Sequence, residues 1–226
     1  MATSSNVNMK AQHRNDDGRI FRNPVLEALT RTHIAVPLVL FYGSGLAATW
    51  YAVQVLLVPV AAAVVLFLAG MLFFTLVEYV VHRYVYHMET GSPRGTHLIY
   101  LFHGFHHDHP KDKRRLALPP VMTIVLAVIC LGMFRLLMGP QGFAFGGGFQ
   151  AGYASYLFVH YAVHILRPPK NALNVLWRHH NLHHFADNER GFGVSSPLWD
   201  HIFGTLPRSR KELLKERDTA SGGHAA

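Results

Sequence analysis

The sequence predicts an all-α integral membrane fold: four transmembrane helices with a cytoplasmic, histidine-rich helical cap that holds a dimetal site. Three observations predict it. Of 226 residues, 50% are hydrophobic and only 15% are charged, which leans away from an ordinary soluble domain. The charged residues fall in blocks separated by long uncharged stretches. The 17 histidines outnumber the 13 aspartates and glutamates combined, and most cluster in or beside those same blocks.

Residues 34–53 and 55–77 carry no charge over twenty and twenty-three positions. At ~1.5 Å of rise per residue, each is long enough for a hydrocarbon layer roughly 30 Å thick. Only Gln54 stands between them, so the expected connection is a very short hairpin turn. A third span is expected at 116–134 and a fourth at 142–159, where Gly146, Gly147 and Gly148 weaken the start of the helix.

With four spans, the amino terminus, residues 78–115 and everything after 165 share one side, and that side holds twenty of the twenty-one lysines and arginines. The positive-inside rule makes it cytoplasmic. Localisation is therefore expected in the cytoplasmic membrane of a prokaryote or the endoplasmic reticulum of a eukaryote, with both termini and the metal site cytoplasmic. The net charge of +8 is explained by this sorting. It does not indicate nucleic acid, whose sites need basic residues interleaved with aromatics along one surface. The single cysteine, Cys130, excludes an internal disulfide and a paired-cysteine zinc site. No signal peptide is read in the polar stretch 1–33.

Three regions follow: a disordered tail over 1–20, a membrane domain over 21–207, and a terminal helix with a disordered tail over 208–226. At 21–32, Phe21, Val25, Leu26 and Leu29 recur at helical spacing behind Pro24. That pattern fits an amphipathic helix on the membrane surface, or equally a plain lead-in to the first span.

Ten histidines fall into four clusters: His82 and His87 in HRYVYH; His103, His106 and His107 in HGFHH; His160 and His164 in HYAVH; and His180, His183 and His184 in HNLHH. Helical residues three and four apart share a face, so each HxxHH box is expected to act as one tripod. His82 and His87 are five apart, about 140° around a regular helix, so they are expected at a helix end and on two different ions. Ten imidazoles exceed the four to six ligands of one ion and suit two ions at about five each. Imidazole accepts zinc, iron, copper or nickel, so the residues alone do not name the metal.

The other seven histidines are set aside. His13 and His224 are tail residues, His33 is interfacial, His179 points off its neighbour's face, and His97, His109 and His201 are read as solvated. Ligating histidines commonly pass their second ring nitrogen to an acid, and Glu78, four before His82 at a membrane boundary, is the best such candidate.

At these residues the chain resembles the fatty acid hydroxylase superfamily of membrane enzymes, and within it the fatty acid 2-hydroxylase branch. The resemblance runs through EYVVHRYVYHM, HGFHHDHPKDKRRLALPP, GYASYLFVHYAVH and RHHNLHHFADNERGFGVSSPLWDHIFGTLP, covering about residues 22–207 with all four clusters in order. It implies a non-haem di-iron monooxygenase that hydroxylates a membrane lipid's acyl chain, most simply at C2, with O2 as co-substrate. The ten histidines would be both the metal ligands and the catalytic centre. Tyr153, Tyr156 and Tyr161 would lie near the substrate path, and the 191–204 stretch would wrap back on the site. Zinc could occupy the same imidazoles in purified material.

Two departures stand out. Leu157 replaces an aspartate common in eukaryotic members, and the 33 residues before the first span are too few for the cytochrome b5-like domain many of them carry. Electrons would then come from a separate protein, cytochrome b5-like or ferredoxin-like. Two other readings are weighed. A sterol or carotenoid hydroxylase or desaturase would keep the class. A non-catalytic metal-binding membrane protein would not, and a transporter should carry its polar ligands at the membrane midplane.

Overall fold

The computed structural model describes residues 19–222, and among them all regular structure is helical. The first helix, α1 (Pro24–Leu29), starts where Asn23 Oδ1 accepts from the backbone N–H groups of Val25 and Leu26, with Pro24 at the first helical position. It is six residues long, half of the stretch that the apolar spacing covers.

Helices α2 (Ala35–Gln54) and α3 (Val60–Val81) follow. Their connection is residues 55–59, longer than the single Gln54 expected. Leu57 turns the chain at φ 56°, and Pro59 disfavours a helical conformation at Val58, so α3 cannot start at Val55. At its other end α3 runs past Val77 into a π turn, His82–Tyr86. Next come α4 (Pro93–Ile99), capped by Ser92, a second π turn (Tyr100–Gly104), and α5 (Phe105–Asp108). Helix α6 (Pro120–Met138) meets α7 (Gly142–Ile165) through a 3₁₀ turn at Gly139–Gln141. The chain closes with α8 (Asn174–Phe185), α9 (Leu198–Ile202) and α10 (Arg210–Gly222). The tail expected at 1–20 lies almost wholly outside the described residues. At the other end, α10 supplies the terminal helix expected within 208–226 and extends through Gly222, and residues 223–226 lie outside the described residues.

Three stretches are long and apolar enough to cross a membrane: Ala35–Gln54, Val60–Tyr86 and Pro120–Ile165. The last is two helices folded against each other, with Gly139 at φ 64° in the bend and Phe134 edge-on to Phe145 across the pair. The outward faces of these helices carry exposed Val39, Leu46, Val65, Leu68, Val128 and Leu136. A surface this apolar suits a lipid solvent.

Helix α7 is the centre of the bundle and packs against α2, α3 and α6. Its glycines are the reason it can. A Cβ on Gly147 would overlap the Gly45 carbonyl oxygen of α2, and one on Gly148 would overlap the Phe67 carbonyl oxygen of α3. The same residues that weaken the helix in isolation let two backbones close on it, as small residues do between membrane helices. Gly148→Val is therefore expected to destabilise the bundle by at least ~1–3 kcal/mol. Thermal unfolding in detergent checks this, and an unchanged midpoint would contradict it. Leu157 is buried with Phe41, Ala127 and Ala154 and packs as core.

Candidate metal centre

At one end of the bundle the π turn after α3, the segment from the second π turn through α5, the last turns of α7, and α8 bring the ten clustered histidines together. They form two groups of five. His82, His87, His103, His107 and His183 make one; His106, His160, His164, His180 and His184 make the other. Within each group the five candidate ligand nitrogens lie within 4.8 Å of one another.

The partition differs from the sequence expectation in two ways. Neither HxxHH box acts as a single tripod. His103 and His107, four apart, serve the first group while His106 serves the second; His180 and His184, four apart, serve the second while His183 serves the first. The i,i+4 pair stays together because it shares a helical face most closely, and the third histidine of each box turns to the neighbouring group. His82 and His87 serve one group, not two. The π turn between them winds with i→i+5 hydrogen bonding, which stacks residues five apart above one another, and their rings lie 5.1 Å apart.

Two backbone carbonyls set the tautomers. His82 Nδ1 donates to the Phe192 carbonyl at 2.6 Å, and His183 Nδ1 donates to the Arg190 carbonyl at 2.8 Å. A carbonyl can only accept, so in each neutral ring the proton sits on Nδ1 and Nε2 presents a lone pair. His82 Nε2 is 3.0 Å from His103 Nε2, which is itself 2.9 Å from His107 Nε2. The Nε2 atoms of His87 and His183 are buried with no hydrogen-bond partner among the described residues. In the second group His106 Nε2 lies 2.9 Å from His160 Nε2 and 3.2 Å from His184 Nε2, and His164 and His180 present Nε2 atoms 2.8 Å apart.

Burial, and then neighbouring imidazoles, pushes protonation of His103, His106 and His180 far below the usual histidine range, and burial holds His183 down at about 4. At neutral pH these rings are neutral. Converging lone pairs, kept neutral and partly without donors to receive, fit one metal ion per group. The all-imidazole donor set suits a first-row transition ion.

The segment after α8 folds back over the site, as the resemblance implies. Gly191 and Gly204 take positive φ (79° and 67°) at its ends, and the Gly191 N–H donates to the Thr205 carbonyl. Glu78 acts on this segment and not on a histidine ring: its carboxylate accepts from the N–H groups of Val194 at 2.6 Å and Ser195 at 2.9 Å, and from the Ser195 hydroxyl. Its link to the centre runs through the loop that carries the Phe192 carbonyl. Glu78→Gln removes the charge and one of the two acceptor oxygens that hold this segment, and is expected to lower metal occupancy or activity roughly ten- to a hundredfold. Metal analysis of the purified variant checks it, and normal metal content with full activity would show Glu78 to be incidental.

The acid that does meet a histidine is Asp200. Fully buried, it accepts from His179 Nε2 at 3.0 Å, from the N–H groups of Phe192 and Gly193 at 3.0 and 2.8 Å, and from the Thr205 hydroxyl at 2.7 Å. Burial alone would raise its pKa; the hydrogen bonds from His179, Thr205 and Gly193 outweigh that and hold it below the usual carboxylate range. Its 100° offset from His180 sets His179 apart from the ligand face and aims it at this acid. Nothing in the local sequence spacing pairs His179 with Asp200, and the two carbonyl acceptors leave no mark in a sequence.

Of the three tyrosines, Tyr156 lies flat on His160 with ring centres 5.5 Å apart, and Tyr153 packs between Phe41 and Phe74 at 5.9 Å from Tyr156. Tyr161 is half-buried and among the described residues makes no ring contact with either group. Tyr86, absent from the sequence reading, stacks on His103 at 4.9 Å.

A helical bundle with three candidate membrane spans and two histidine quintets at one end defines a class of membrane protein built around a histidine-rich metal centre. Residues 67–205 match the family described as fatty acid hydroxylase, and the chain belongs to that family. Dihydroceramide fatty acyl 2-hydroxylase FAH2 of Arabidopsis thaliana is 37% identical over 205 residues, covering 84% of this chain and 80% of that protein. Fatty acid 2-hydroxylase of Rattus norvegicus is 35% identical over 212 residues, covering 83% of this chain and 56% of that protein. The solved structure described as full-length scs7p, with only the hydroxylase domain visible, superposes with a TM-score of 0.75 at 31% identity, over 84% of this chain and 72% of that one.

Proposed function

We propose that this chain is a membrane-bound oxygenase that hydroxylates a lipid-linked acyl chain at C2, with two iron ions held by the ten clustered histidines. The observation that carries this is the pair of five-histidine groups at one end of an apolar bundle, in a chain whose relatives are fatty acyl 2-hydroxylases. We read α2, α3, α6 and α7 as four membrane spans, with the metal centre and both termini on the cytoplasmic side where the lysines and arginines gather.

When bound, the two ions would supply the redox chemistry that activates O2. One oxygen atom would enter the C–H bond and the other would leave as water, with two electrons from a donor protein and two protons. The chain's own residues do the rest. His82 and His183, locked by the Phe192 and Arg190 carbonyls, hold their Nε2 lone pairs toward one ion. Neutral imidazoles would leave the charge of bound ions uncompensated, and the burial of the histidines would keep bulk water out of the site. Tyr156 on His160 and Tyr153 beyond it lead from the centre toward the apolar bundle, the direction an acyl tail would take.

Lipid mass spectrometry on cells expressing this chain, fragmenting acyl chains to place any added oxygen, tests the reading. A hydroxyl at C2 is expected. Oxygen on a sterol or carotenoid instead would replace the substrate, and no product even with a supplied reductase system would contradict the activity.

A further inference from the structure

We propose that the cleft between α1 and the turn at 112–115 binds the phosphate group of an anionic lipid. The cleft, about 420 Å³ in volume, is lined by Arg19, Arg22, Arg31 and Arg114, with Glu27 the acid among them. Glu27 is already committed. Its buried carboxylate accepts from the N–H groups of Ile20 and Phe21 at 3.0 Å each, from Arg31 at 3.0 Å, and from Arg115. One carboxylate thus serves two guanidinium groups and two amides. The guanidinium groups of Arg22 and Arg114 are exposed and have no carboxylate partner among the described residues. A planar guanidinium fork matches the oxygens of a phosphate in a bidentate pair.

Position and polarity name the ligand's source. The Thr32 N–H donates to the Arg114 carbonyl at 2.8 Å, tying the chain just before α2 to the chain just before α6. The cleft therefore sits where two membrane-length helices begin, at the depth of lipid headgroups. The short helix that forms one wall turns Val25, Leu26 and Leu29 outward, at 66%, 47% and 58% exposure. An acidic protein would match the arginines and leave that apolar surface bare. A molecule with a phosphate at one end and acyl chains at the other accounts for both, since basic residues beside an apolar helix face bind anionic membranes. This inference rests on the membrane location and not on the hydroxylation chemistry.

The test uses the full chain in detergent, titrated with short-chain phosphatidylglycerol, short-chain phosphatidylcholine or inorganic phosphate, and read by native mass spectrometry. The intact chain is expected to retain phosphatidylglycerol over phosphatidylcholine. The Arg22→Gln/Arg114→Gln pair should bind it at least ~10-fold more weakly, as the loss of even one charge-assisted contact requires. Arg94→Gln, an exposed arginine outside the cleft, should bind as the intact chain does. If the glutamine pair fails to fold, Arg22→Lys/Arg114→Lys should still bind measurably more weakly than the intact chain. Displacement of the lipid by inorganic phosphate supports the phosphate site and assigns it to the free ion as well. Equal lipid binding by the intact chain and the paired variants, equal loss in Arg94→Gln, or retention of polyglutamate with no lipid bound would overturn the proposal.

Discussion

His106→Ala and His183→Ala are each expected to abolish product while leaving the helical bundle in the membrane. The two residues stand in different groups, so each variant would remove one candidate ligand from one group. His106 Nε2 lies between those of His160 and His184, at 2.9 and 3.2 Å, and its loss removes the nitrogen closest to both. His183 is fully buried, with Nδ1 spent on the Arg190 carbonyl and Nε2 without a hydrogen-bond partner among the described residues. Removing groups that only support ligands lowers metal affinity or activity ten- to a hundredfold, so loss of a direct ligand should exceed about a hundredfold. Product analysis beside metal content and membrane extraction measures it. Retained turnover in either variant would remove that residue from the ligand set.

Asp200→Ala is expected to have the next largest effect, and it acts on folding as well as chemistry. Four donors converge on this acid, and in the variant His179 Nε2–H, two backbone N–H groups and the Thr205 hydroxyl are left buried without an acceptor. Each such group costs about 1–3 kcal/mol, so even with relaxation the loss is several kcal/mol, a large part of a typical domain's stability. The Phe192 backbone is released at the same time, and with it the carbonyl that fixes His82. Lower thermal stability should therefore coincide with lower metal content. The pH sign follows from the depressed folded-state pKa of Asp200: its contribution is fully present above about pH 4, the unfolded carboxylate value, and is lost as pH falls through the lower folded value. Wild-type stability and metal content in Asp200→Ala would contradict this account.

Much of the centre was legible in the sequence, for a physical reason. Long apolar helices declare themselves by length without charge, and clustered histidines by spacing, so the ten residues that gather into two groups of five could be read directly. What could not be read depends on backbone winding and on distant partners. A five-residue separation looks divergent on an α-helix, and only the π turn at His82–Tyr86 brings His82 and His87 to one group. Shared helical faces group an HxxHH box as a unit, yet a face of finite width can be divided between two neighbouring ions. A spacing of one turn pairs Glu78 with His82, but its donors lie at Val194 and Ser195, over a hundred residues on. The glycines of α7 read as helix weakeners because their reason is the approach of two other helices.

The most direct measurement is the metal stoichiometry of the purified chain, taken for the intact protein and for one variant in each group, His87→Ala and His164→Ala. Two ions per chain are expected in the intact protein, with each variant losing ions from its own group first. A single ion per chain, or variants in both groups that leave the count unchanged, would contradict the two five-histidine centres on which the account rests.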